Sequence, residues 1–124
     1  MAYVYFCNNP RNKCTIGDCV IRACSAALNK SWDEVYIDLA TEGFFLKDLF
    51  SSNEVWGSYL LSKKFRKCIP ERYMYNVGDF AKDHPNGVYV AGTGTHAVAI
   101  VYGDILDTWD SSNEIISYYW ERED

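Results

Sequence analysis

At 124 residues, 48% of them hydrophobic and 16% aromatic, the chain can bury a core of its own, which excludes a disordered protein and predicts a single domain over residues 1–124. A net charge of -5 excludes a general nucleic-acid binder, which needs a basic surface to displace counterions from phosphates. The one basic run, Lys63-Lys64-Phe65-Arg66-Lys67, reads as a solvated edge, and no apolar stretch reaches the length of a membrane span.

The opening Met1-Ala2-Tyr3-Val4-Tyr5-Phe6-Cys7 has no basic start, so it reads as a strand and not as a signal peptide. Five cysteines without a C-x-x-C pair read as free thiols of a reducing compartment. Together these features predict a cytoplasmic protein with neither signal peptide nor transmembrane segment.

Tyr3 to Phe6 alternates like a short edge strand, and the turn-rich Asn8-Asn9-Pro10-Arg11-Asn12-Lys13 follows. Asp18 is placed to cap a helix from Cys19 to about Asn29, with Val20, Ile21, Cys24, Ala27 and Leu28 on one face. Ser31-Trp32-Asp33-Glu34 is a capping box. Its helix has a predicted stripe of Trp32, Val35, Tyr36, Leu39 and Ala40, and Gly43 is expected to stop it. Ser51-Ser52-Asn53-Glu54 repeats the signal before Val55, Trp56, Tyr59 and Leu60, and a short helix from Val77 to Asp83 is capped by Asn76 and halted by Pro85.

From Asn86 the period changes to two. Val88–Ala91, His96–Tyr102, Asp104–Trp109 and Ile115–Trp120 read as strands, with a hairpin turn at Tyr102-Gly103-Asp104. Helices first and an antiparallel sheet second predict an α+β fold.

Cys19 at a helix start, a histidine on a strand far downstream and then a carboxylate form the chain order of a thiol nucleophile, its base and an orienting group. A helix N-terminus favours the thiolate that such attack requires. Cys24 lies on the apolar face and reads as core. His84 sits at a helix end, where the dipole and the last carbonyls explain it, whereas His96 follows the glycine-rich Gly92-Thr93-Gly94-Thr95. A two-residue hairpin loop makes opposed positions sum to an odd number, so His96 shares a face with Ile105, Asp107 and Trp109. Asp107 then lies diagonal to His96 at about 7–8 Å between backbones. A bulge would make Asp110 the third member instead. The oxyanion is assigned to the Cys19 N–H, with Asn12 and Thr15 as the side-chain donors of the preceding loop.

The residues Gly17-Asp18-Cys19-Val20-Ile21-Arg22-Ala23, His96-Ala97-Val98-Ala99-Ile100 and Asp107-Thr108-Trp109-Asp110 resemble the papain-like cysteine peptidases. The likeness is strongest to small bacterial and phage-borne members, and Asp79-Phe80-Ala81-Lys82-Asp83-His84-Pro85-Asn86-Gly87 fits the same pattern. The resemblance implies helices packed on a sheet, with Cys19 as nucleophile, His96 as general base and acid, and Asp107 as third member. It implies hydrolysis of an amide or isopeptide bond in a peptide or protein, without cofactor or metal, nucleic acid or membrane. Papain has a glutamine six residues before its cysteine, and Lys13 stands at that position here.

Two other readings use the same residues. The triad could pass an acyl group to an amine, as a transglutaminase-like or acetyltransferase-like enzyme does. A fold without turnover could serve as a phage-encoded inhibitor of a host protein, with Trp109, Tyr118, Tyr119 and Trp120 at an interface, although most of these rings read as core. Zinc is disfavoured, because Cys7, Cys14, Cys19 and Cys24 are spaced seven, five and five apart, unlike any common ligand pair.

Overall fold

The computed structural model describes residues 2–123. Its elements in chain order are β1 (Ala2–Tyr5), α1 (Cys19–Leu28), α2 (Trp32–Leu46), α3 (Asn53–Ser62), β2 (Phe65–Cys68), α4 (Val77–Asp83), β3 (Val88–Gly92), β4 (Ala97–Val101), β5 (Asp104–Asp107) and β6 (Tyr118–Arg122). The fold is α+β, with its strands in one sheet of order β1-β5-β4-β3-β6-β2. This corrects the all-antiparallel expectation. β1 pairs parallel to β5, the other pairings are antiparallel, and β1 and β2 come from the helical half of the chain. Parallel pairing needs a crossover connection, and nearly the whole chain serves as one here.

Both faces of the sheet are covered. Val88, Val90, Ala97, Ala99 and Trp120 pack with α1, α2 and α3. Tyr89, Ala91, Val98, Ile100 and Tyr119 pack with Tyr75 and with Val77, Phe80 and Ala81 of α4. Strands buried on both faces read as continuous apolar runs, which is why β3 and β4 are VYVAG and AVAIV. The small Ala97 and Ala99 face the helical layer, in the same core cluster as Ile21 and Cys24 of α1.

Several local expectations change. Asp18 stands at the N-cap of α1, but its side chain makes no cap bond. The capping box of α2 forms as read, yet the helix runs through Gly43 to Leu46, and Val35, Leu39 and Gly43 are its buried positions. Tyr36 and Ala40 are exposed. Ser52, not Ser51, caps α3. The last strand begins at Tyr118, and Ile115 forms only an isolated bridge to Asn76. The basic edge contains a strand, β2, because Phe65 is buried while Arg66 and Lys67 point out beside β6.

Gly43 is inside the helix because the following turn folds back onto it. A Cβ there would lie 2.7 Å from the Asp48 carbonyl oxygen and 3.3 Å from the Phe50 nitrogen. Gly43→Ala is therefore expected to destabilise by about 1–3 kcal/mol, read as a lower urea midpoint. An unobstructed helix interior would show the opposite sign, since alanine there is favoured over glycine.

The free-thiol expectation is also corrected. Cys7 and Cys14 form a disulfide, with 5.7 Å between their Cα atoms. The turn between them returns on itself: the Arg11 N–H donates to Asn9 Oδ1, the Asn12 N–H donates to Asn9 O, and Asn12 takes a positive φ of 55°. Cys19, Cys24 and Cys68 remain thiols. No helix among the described residues is long and apolar enough to cross a membrane.

Candidate active site

The β4–β5 hairpin closes through Tyr102 and Gly103, both with positive φ, and pairs Val101 with Asp104. Opposed positions therefore sum to 205, as a two-residue loop requires. That register carries Asp107 to the end of β5, where the Phe6 N–H donates to its carbonyl beyond the β1 pairing. His96 immediately precedes β4. It closes a tight turn in which the Thr93 N–H donates to the His96 carbonyl at 2.9 Å.

The structure brings Cys19, His96 and Asp107 together. His96 Nε2 lies 2.7 Å from Asp107 Oδ2. An ionised carboxylate only accepts, so Nε2 carries the proton of that bond and Nδ1 is the nitrogen left free for Cys19, which lines the same two hollows as the imidazole. The Trp109 ring lies 4.9 Å from the imidazole, centroid to centroid, and covers it. Asp110 is not brought to the histidine. It is exposed, and its carboxylate accepts from the N–H and hydroxyl of Ser112.

Asp107 is fully buried and richly partnered. Besides His96, it accepts from the Ser111 hydroxyl at 2.7 Å, the Thr108 N–H at 2.8 Å and Arg22 at 3.0 Å. Arg22, one turn into α1 from Cys19, also pairs with Asp18, and Asp18 Oδ2 accepts from Trp32 Nε1 at 2.9 Å. A continuous polar chain thus runs from His96 through Asp107, Arg22 and Asp18 to Trp32, with Cys19 beside its His96 end. Sequence reasoning did not single out Arg22, Ser111 or this second role of Asp18. The available signal was an arginine inside CVIRACSAAL, a helix apolar nearly all round, where a charge needs a buried partner.

The electrostatics follow from these contacts. Burial pushes the Cys19 thiol up, but hydrogen bonds from His96 and the Ala97 N–H, with the charges of His96 and Arg22, outweigh it and leave the thiol below its ordinary pKa. Burial opposes charge on His96, yet the bonds to Asp107 and Cys19 raise its pKa to about 9. Burial likewise opposes charge on Asp107, and the bonds from His96 and Ser111 hold it below the usual carboxylate range. By contrast, burial pushes both Cys24 and Cys68 upward. Cys19 alone among the three thiols is set toward the thiolate.

Two hollows flank Cys19. One, about 240 Å³, is walled by the starts of α1 and α3 and by the Thr93–Thr95 loop. The other, about 420 Å³, is walled by Cys14 to Gly17 and by Thr108 and Trp109. Thr15 lines this second hollow. Asn12 stays in the exposed turn and lines neither. Because the Asp18 side chain is spent on Arg22 and Trp32, the first N–H groups of α1 face the cleft without a side-chain cap. Of the two side chains expected to help meet an oxyanion, Thr15 lines a hollow with Cys19 and Asn12 does not. Against known proteins, the chain matches no family model, no curated protein and no solved structure.

Proposed function

We propose that the chain is a papain-like cysteine hydrolase that cleaves an amide bond in a peptide or protein through a thioester. The observation that carries this reading is the 2.7 Å bond between His96 and a buried Asp107, with Cys19, a thiol at a helix start, lining the same hollows as the imidazole. Cys19 attacks the carbonyl carbon as thiolate, and the oxyanion is met by the Cys19 N–H. His96 gives its Nδ1 proton to the departing amine as the C–N bond breaks. Water then attacks the thioester, His96 takes its proton, and the acid leaves as the thiolate is restored. Asp107 holds the ring and its tautomer throughout.

A peptidyl vinyl sulfone tests the reading. The adduct is expected on Cys19, forming at neutral pH much faster than any adduct on Cys68, followed by peptide mapping. Equal labelling of both thiols, or labelling of Cys19 that is indifferent to His96→Ala, would overturn it.

A further inference from the structure

This inference rests on the hydrolase reading and concerns what the cleft accepts. Both hollows share Gly17, Cys19, Thr95 and His96, so they form one groove that passes over the sulfur and continues on either side. A Cβ added at Gly17 or Gly94, which both line the hollow beside α3, would meet nothing within 4 Å.

Among the described residues the groove walls lack usable charge, although the chain carries 12 basic and 17 acidic residues. On the α3 side the lining beyond the dyad is uncharged: Ser51, Asn53, Thr93 and Thr95 with Val20, Trp56, Ala97 and two glycines. On the other side the one ionisable residue besides the dyad is Arg22, 5% exposed and committed to Asp18 and Asp107. Hydroxyls, one carboxamide and carbon surface remain. A charged side chain entering either hollow would give up hydration without gaining a partner. A terminal ammonium or carboxylate would fare no better, since neither hollow offers the counter-charge by which chain ends are held.

We infer that the substrate is an internal amide bond in an extended segment, flanked by uncharged residues, with a small polar or apolar side chain in the narrower hollow beside Asn53. Asn53 sets that preference. It stands at the first position of α3, and its Oδ1 accepts from Trp56 Nε1 at 3.1 Å. Asn53→Asp keeps this acceptor and adds a negative charge at a helix N-terminus, where it is tolerated.

The experiment compares capped peptidyl vinyl sulfones and matching capped peptide substrates that carry Ala, Ser, Lys or Glu in the position facing Asn53. The wild-type protein is expected to label and cleave the Ala and Ser members at least tenfold faster than the Lys and Glu members. Asn53→Asp is expected to raise the rate with Lys about tenfold and leave Glu slow. Labelling of Cys19 at one rate for all four, or an Asn53→Asp variant with an unchanged Lys-to-Ala ratio, overturns this inference and leaves the hydrolase reading standing. No Cys19 adduct with any member removes both.

Discussion

Replacing Arg22 with methionine is expected to remove about 3–5 kcal/mol of stability, a large share of what a domain of this size possesses. The guanidinium lies between Asp18, 4% exposed, and Asp107, with no exposed surface. Without it, two carboxylates face one another out of water, and one must take a proton or draw solvent into the core. The cost comes from stranding the acids and is not the net worth of the ion pairs, which burial largely cancels. Arg22→Lys separates the contributions. Its single ammonium keeps the charge but cannot span both carboxylates as the planar fork does, so an intermediate loss is expected. Urea unfolding of the two variants checks the order, and a methionine variant within about 1 kcal/mol of wild type would contradict it. The thiol carries a second readout. Arg22 helps to lower the Cys19 pKa, so methionine should shift the pH dependence of Cys19 alkylation upward while lysine largely preserves it.

The parts of this site that were legible in the sequence are those with a local cause. Val20, Ile21, Cys24 and Ala27 repeat at helical spacing, so α1 and its start at Cys19 could be read directly. Gly103 permits a two-residue turn, which sets the parity that aligns Asp107 with His96. What could not be read depends on partners distant in the chain. Four alternating residues at Tyr3 announce a strand but not that it lies parallel to β5. Phe65 among four cations looks like a solvated run until pairing with β6 sets the strand in the sheet and turns the phenyl ring into the core shared with α1 and α3. Gly43 resembles a helix stop because the reason for its small size, the Asp48 carbonyl, comes from the turn that follows. Cys7 and Cys14 meet through a turn whose closure spacing alone does not reveal. Arg22 is the most instructive case. Its i,i+4 partner Asp18 is visible in the sequence, but the partner that ties it to the site is 85 residues away.

Asp107→Asn is expected to move the alkaline limb of the pH–rate profile toward neutrality, and Asp107→Ala to cut the rate by roughly 10²–10⁴. In the wild-type chain the thiolate–imidazolium pair exists above the lowered Cys19 pKa and below the His96 value of about 9. Activity should therefore rise with pH through the first and fall through the second. An amide at position 107 has one oxygen for the two donor pairs that the carboxylate receives. With that oxygen on Nε2–H the ring keeps its orientation, while the NH2 then faces the Arg22 and Thr108 donors at a cost in stability. The amide no longer supplies the negative charge that raises His96, so the proton on Nδ1, needed by the leaving amine, is lost at a lower pH. Alanine removes acceptor and charge together and frees the ring to turn. The same shift governs stability. A histidine raised from 6.5 to about 9 on folding contributes stability that is complete below pH 6.5 and disappears as the pH rises through about 9. Thermal stability of wild type should thus fall across that interval, offset in part by the lowered Cys19 thiol, whose contribution grows as the pH rises toward its ordinary value. Asp107→Asn should flatten the dependence while moving the kinetic limb in step. If the limb moved without any change in the stability profile, His96 would not be the group that titrates, and Asp107 would be acting on the rate by another route.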